Sequence, residues 1–145
     1  MDVRLASGAG DAASVRRLVD LAFMPYIPRV GGKPVPMLAD YDAVVAAGHC
    51  WVAVDAERVV GMMHLEPADD HLVVETLAVD PEVRGQGVGG RLLALAEEQA
   101  RSLGVPELRL YTHEAMTENL AYYPRRGFTE THRSAPRVFY TKTVG

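Results

Sequence analysis

The sequence predicts one mixed α/β, or α+β, domain, and three features carry that reading. Its apolar segments run in the order β-α-α-β-β-β-α-β-α-β-β, which is not the strict alternation that builds an all-parallel sheet. Three strand-like runs follow one another between residues 50 and 79 with only turns between them, which makes an antiparallel meander. Directly after the meander a glycine-rich passage opens a long amphipathic helix. The 145 residues fit a single domain, 1–145, long enough to bury a core without a disulfide or metal staple.

Taken in order, Val3-Arg4-Leu5-Ala6 reads as a first strand ended by Ser7 to Gly10. Asp11 stands where an N-cap belongs, and Val15, Leu18, Leu21 and Ala22 follow at helical spacing until Pro25 stops them. Residues 25–36, with Pro25, Pro28, Pro34, Pro36, Gly31 and Gly32, predict a rigid irregular loop. A second helix is expected over Met37 to Ala47, with Gly48 as its stop. The meander strands are Cys50–Val54, Val59–Leu65 and His71–Val79. A long helix from about Gly87 to Leu103 carries Val88, Leu92, Leu95, Ala96 and Gln99 inward, and Gly104 with Pro106 ends it. Leu108–Tyr111 is a strand, Thr117–Arg126 a short helix interrupted by Pro124, and Phe128–Arg133 and Arg137–Thr143 close the chain as strands.

Composition limits the functions available. A net charge of −4, from 15 basic and 19 acidic residues, argues against nucleic acid as a partner. No apolar run nears the ~20 residues that span a bilayer, so no membrane partner is expected. The lone cysteine, Cys50, with no signal peptide, points to the cytoplasm. Basic residues do gather locally, at Arg84 to Arg91 and at Arg125, Arg126 and Arg133, enough for a small anionic ligand.

The strongest local signal is Arg84-Gly85-Gln86-Gly87-Val88-Gly89-Gly90. Glycines let backbone N–H groups turn toward an anion, the first N–H groups of a helix lack internal partners, and Arg84 adds a planar donor fork. A pyrophosphate suits this turn. The spacing Gly85-x-Gly87-x-x-Gly90 also matches the dinucleotide fingerprint, but that fingerprint needs a βαβ alternation and an acidic residue closing the next strand, where this chain has Tyr111-Thr112. No Gly-Lys-Ser/Thr follows, which excludes a Walker loop.

The segment Leu77-Ala78-Val79-Asp80-Pro81-Glu82-Val83-Arg84-Gly85-Gln86-Gly87-Val88-Gly89-Gly90-Arg91-Leu92-Leu93 resembles the central motif of the GCN5-related N-acetyltransferases, whose Arg/Gln-x-x-Gly-x-Gly/Ala loop binds the coenzyme A pyrophosphate. The element order and the ending Gly127-Phe128 plus two strands resemble that family over essentially the whole chain. The resemblance implies a mostly antiparallel sheet with splayed central strands, flanked by about four helices. It implies acetyl-CoA as co-substrate, with Leu77, Ala78 and Val79 offering backbone to the pantetheine and Arg84, Gly85, Gln86, Gly87, Val88, Gly89 and Gly90 holding the pyrophosphate. It gives Tyr123, four residues before Gly127, the role of donor to the leaving thiolate. Asn119, one turn earlier, is placed to hydrogen-bond the pantetheine, although many members carry that asparagine where this chain has Met116.

Glu75 shares strand parity with Leu77 and Val79, so it is expected beside them as the base, acting directly or through water; an ion pair or a solvated strand face is the alternative. His64, His71 and His113 stand behind it, and no His/Cys/Asp/Glu set shows metal-ligand spacing, so no metal is expected. Tyr122 reads as a core residue. By resemblance the segment from Phe23 to Lys33 covers the acceptor site, with Tyr26, Arg29 and Tyr41 orienting the substrate. The expected function is transfer of an acetyl or acyl group from acetyl-CoA to a primary amine of a small molecule or peptide, by direct attack through a tetrahedral intermediate. The alternatives are a non-catalytic acyl-CoA sensor and a toxin-type enzyme acting on aminoacyl-tRNA. Homodimers are common in the family, and a homodimer is possible here.

Overall fold

Seven strands in the order β1-β2-β3-β4-β5-β7-β6 form the middle layer. In the computed structural model, which describes residues 1–145, these are β1 (Asp2–Leu5), β2 (Cys50–Asp55), β3 (Arg58–Pro67), β4 (Leu72–Val79), β5 (Glu107–His113), β6 (Thr129–Ser134) and β7 (Arg137–Thr143). The helices are α1 (Gly8–Phe23), the single turn α2 (Ile27–Val30), α3 (Tyr41–Ala46), α4 (Val88–Leu103) and α5 (Thr117–Arg125). All neighbouring strands run antiparallel except β4 and β5, which makes the sheet mixed as the element order predicts.

The sheet divides the interior in two. On one face α4 packs Leu92, Leu93, Ala96 and Ala100 into a cluster of 19 buried residues with Val60, Met63, Leu65, Leu108 and Tyr140. On the other, α1 and α3 build a cluster of 17 with Val15, Leu18, Tyr41, Val45, Val52 and Met62. Met62 and Met63 go to opposite faces because successive side chains of a strand alternate. The inner face of α4 is rotated from the one expected. Leu93 and Ala100 are buried, whereas Leu95 and Gln99 sit half-buried at the flanks.

Several boundaries differ from the sequence reading for identifiable reasons. Helix α1 begins at Gly8 with Ser7 as an extended N-cap, so Asp11 lies inside the first turn. From there its carboxylate accepts the Ser7 N–H at 2.8 Å and pairs with Arg4 at 2.6 Å, closing the helix end from within. Leu21 falls off the apolar stripe and is exposed, while Val19 and Phe23 are buried. The expected second helix divides. Val35–Leu38 forms a 3₁₀ turn, and Asp40 starts α3 afresh by accepting the Ala43 N–H at 3.2 Å. The stretch expected as an irregular loop holds two short helical pieces, Met24–Tyr26 and α2, ended by left-handed Gly31.

The β2–β3 turn places Ala56 and Glu57 at φ values of 49° and 67°. Both central positions of such a two-residue turn favour Asn-Gly, and a left-handed non-glycine residue costs about 1–2 kcal/mol. The double change Ala56→Asn, Glu57→Gly should therefore raise the melting midpoint by about 2–4 °C, measured by calorimetry.

Two irregularities shape the centre. Strands β4 and β5 pair only at Leu72–Leu108 and Val73–Arg109, then diverge, so the β5-facing edge of β4 beyond Val73 is left open. On the other edge of β4, His64 lies opposite Thr76 while Leu65 lies opposite Val74, which leaves Glu75 as an unpaired bulge residue. The bulge switches faces: Val74 joins the α4 cluster, yet Ala78, of the same parity, joins the α1 cluster. At Gly61 of β3 an added Cβ would lie 2.6 Å from Val88 Cγ1, so the missing side chain lets the first turn of α4 rest directly on the sheet.

Candidate active site

Two cavities open where β4 and β5 part. The larger, about 720 Å³, runs along Leu77–Val79, the glycine loop and α5. Its floor is built by backbone. Gly85 and Gly87 take φ of 80° and 84°, the region open to glycine, and Gly87 caps α4. The N–H groups of Gly85, Gly87, Val88, Gly89 and Gly90 have no backbone acceptor, so a row of donors is left at the positive end of a 16-residue helix. Side chains here would fill the space: a Cβ on Gly89 would lie 2.6 Å from the Tyr122 hydroxyl, and one on Gly90 2.7 Å from the Arg126 guanidinium. Arg84, Arg125 and Arg126 line the same cleft. A bare backbone cradle, several uncommitted N–H donors and clustered guanidinium groups match the donor set a pyrophosphate requires.

The loop is held from behind by Asp80, which is 1% exposed. Its carboxylate accepts the Glu82 N–H at 2.9 Å and bonds Arg58, and its own N–H donates to Val60. The Glu82 N–H first, and the Arg58 guanidinium with it, hold the Asp80 carboxyl below the usual carboxylate range against the cost of burial. Gln86 is the one loop residue that departs from the expected set. It is exposed, does not line the cleft, and spends its N–H on Val83 at 3.3 Å.

The smaller cavity, about 240 Å³, lies on the far side of the slot. Val30, Pro34, Val35 and Pro36 form one wall, and Leu110, Tyr111 and Met116 another. Its polar rim includes Glu75, His113 and Arg137. The Ala115 N–H donates to His113 Nδ1 at 3.0 Å, so the neutral ring carries its proton on Nε2. Arg137 lies over the Tyr111 ring at 4.6 Å.

Phe23, Leu77, Asn119 and Tyr123 line both cavities and so mark where they meet. Tyr123 packs edge-on to Tyr122 and Phe128 at 5.3 and 5.6 Å between ring centroids. Burial pushes its phenol well above the ordinary range, so it keeps its proton. Asn119 donates from Nδ2 to Thr112 Oγ1 at 3.0 Å, which leaves Oδ1 as the atom it can offer a ligand. Cys50 is buried away from the junction, and burial pushes its thiol up to about 12, so it is no nucleophile.

Other expected site residues fall elsewhere. Glu75 lies at the cavity rim but is exposed, not enclosed by Val73, Leu77 and Val79, because the bulge breaks the parity that aligned them. Tyr122 is a half-buried wall against the glycine loop, beneath the Arg126 guanidinium at 5.2 Å, rather than a core filler. Tyr26 lines the larger cleft, not the smaller cavity. Arg29 is engaged by Glu118, with separations of 2.5 and 3.0 Å, and this pairing holds the Glu118 carboxyl down to about 2. Tyr41 donates its hydroxyl to Pro36 O at 2.6 Å beneath Arg16, and burial pushes its phenol up to about 12. These two therefore shape the segment over the cavity instead of lining it. Sequence reasoning missed the roles of Tyr111 and Arg137, whose only local signal was their place at adjoining strand ends.

Comparison with known proteins agrees with this geometry. The chain is 40% identical over 79 residues to mycothiol acetyltransferase of Rhodococcus opacus, covering 54% of this chain and 25% of that protein. It is 34% identical over 90 residues to aminoalkylphosphonate N-acetyltransferase of Salmonella typhimurium, covering 58% of each. The matches thus span less than two thirds of these relatives' lengths. The crystal structure of the PaiA N-acetyltransferase from Thermoplasma acidophilum in complex with coenzyme A superposes with a TM-score of 0.80 at 16% identity, covering 98% of both chains. The family model described as "Acetyltransferase (GNAT) family" matches residues 15–128, and with the splayed strands and glycine cradle in place this chain belongs to that family.

Proposed function

We propose that this chain is an acyl-CoA-dependent N-acetyltransferase acting on a primary amine of a small molecule or peptide. The observation that carries the reading is Tyr123 at the junction of a cleft lined by guanidinium groups and backbone N–H donors and a separate, largely apolar cavity. The named relatives, which include a peptidyl-lysine N-acetyltransferase, support acetylation of an amine without specifying which.

The residues divide the work. Arg84 and the N–H groups from Gly85 to Gly90 hold the pyrophosphate, and Gln86 contributes only its place in the turn. The open edge of β4 along Leu77, Ala78 and Val79 offers backbone groups to the pantetheine, as it would to an added strand. Acetyl-CoA, when bound, supplies the acetyl group as an activated thioester. The cavity walls desolvate and orient the amine, and Glu75 at the rim attracts its ammonium and accepts a proton directly or through water. Tyr123 presents its Oη–H at the junction to donate to the departing sulfur.

A thiol-release assay with acetyl-CoA and a panel of primary amines tests this. Turnover with at least one amine is the expected result; tight coenzyme A binding with no turnover on any amine would identify a non-catalytic sensor. Within the same assay Arg84→Ala should raise the KM for acetyl-CoA about tenfold or more, the size of a lost charge-assisted hydrogen bond, and leave the KM for the amine unchanged.

A further inference from the structure

We propose that His49, His64 and Glu66 form a binding site for one divalent transition-metal ion of the zinc type, outside the cleft and its two cavities. The three are brought together by the meander. Cys50 pairs with His64 across β2 and β3, so His49, the residue before β2, reaches the same end of the sheet. The Leu65 N–H donates to the His49 carbonyl at 2.9 Å and fixes its backbone there. His64 and Glu66 are alternate residues of β3 and share a face. Sequence spacing hid the set because all of β2 intervenes between the two histidines.

Glu66 already bridges both rings. One carboxylate oxygen lies 3.1 Å from His49 Nδ1 and the other 2.7 Å from His64 Nε2. One ligand atom from each residue lies within 4.8 Å of the other two. A tetrahedral zinc ion bonded at about 2.0–2.2 Å holds neighbouring ligand atoms about 3.3–3.6 Å apart. Replacing the hydrogen-bonded protons by an ion therefore widens the two bonded contacts by less than about an ångström and draws the remaining pair of ligand atoms, now within 4.8 Å, closer by up to about 1.5 Å, shifts that rotation of these partly exposed side chains supplies. Two imidazoles and one carboxylate are a borderline donor set that suits zinc or cobalt, whereas calcium and magnesium take oxygen ligands. The His64 and Glu66 side chains are 13% and 43% exposed, so water can complete the shell and the ion can enter from solvent. Coordination would clamp the α3–β2 junction onto β3. The same segment, through Pro36 and the Tyr41 hydroxyl, supports the roof of the apolar cavity.

The test uses the full chain, free of any affinity tag and stripped with a chelator. Zinc should bind with a stoichiometry of one and raise the melting midpoint by about 6–10 °C at a hundredfold excess over Kd. Cobalt should give visible absorption of a four-coordinate site that zinc bleaches. His49→Ala and Glu66→Gln should each weaken zinc at least tenfold in calorimetric titration while the metal-free proteins melt within about 3 °C of the parent. His49→Gln replaces His49→Ala should the latter fold poorly. Absence of saturable binding at millimolar zinc, or equal binding by the variants, overturns the proposal and leaves Glu66 a carboxylate that only bridges two rings.

Discussion

Tyr123→Phe should lower kcat by about a hundred- to a thousandfold, the range of a lost general acid, while the KM for acetyl-CoA changes less than about threefold. Removing one hydroxyl keeps the ring contacts with Tyr122, Phe128 and Tyr140, and that hydroxyl has no protein hydrogen-bond partner to leave stranded. Thermal stability should therefore stay within about 1 kcal/mol of the parent. Because burial raises the phenol's pKa, Tyr123 remains protonated throughout the neutral and mildly alkaline range. Any rise of kcat with pH must then come from deprotonation of the amine or its base, and Tyr123→Phe should keep the shape of that rise. Steady-state kinetics over pH checks both points. An unchanged kcat would remove Tyr123 from the chemistry and leave it a core ring at the junction.

Asp80→Ala should produce the largest loss of stability, about 2–3 kcal/mol, seen as a fall in the melting midpoint of about 5–10 °C. The carboxylate is buried, caps the turn Pro81–Val83 and bonds Arg58, so its loss leaves the Glu82 N–H without its acceptor. The pH dependence has a definite sign. A carboxyl whose folded pKa lies below its unfolded value stabilises fully above the unfolded value, near pH 4, and loses that contribution as pH falls through the folded value. Denaturant midpoints should thus converge for parent and Asp80→Asn below about pH 4 and separate above it. Equal midpoints at pH 7 would show that the turn closes without this cap. Affinity for coenzyme A should fall along with stability, since the same turn presents Arg84 and Gly85.

The glycine-lined cleft was legible in the sequence and the smaller cavity much less so, for physical reasons. Phosphate recognition by backbone demands glycines in consecutive positions at a helix start, a local requirement that Gly85 to Gly90 display. Tyr123 rests on the family resemblance, which sets it four residues before Gly127, and the structure puts it where the two cavities meet. A motif names positions and so takes in Gln86, whereas the fold turns its N–H toward Val83. The smaller cavity is assembled by contacts distant in sequence: Pro34 and Val35 meet Tyr111 and Arg137 across the slot. No spacing rule reports that. Arg29 looked free to hold a substrate until α5 brought Glu118 beside it, and Glu75 looked enclosed until the bulge broke the period of two. Helix bounds differ where the carboxylates of Asp11, accepting the Ser7 N–H, and of Asp40, accepting the Ala43 N–H, set the helix starts against apolar periodicity.

The division of the interior by the sheet bears on how this protein can change. The glycine turn hangs from the α4 layer through Val88 and Gly61, whereas the segment roofing the smaller cavity hangs from the α1 and α3 layer. Substitutions in the two layers sit on opposite sides of a hydrogen-bonded wall and share few neighbours, so their free energies should add. Residues 30–36, which roof the smaller cavity and do not line the larger cleft, should then tolerate substitution without altering the cleft's affinity for coenzyme A.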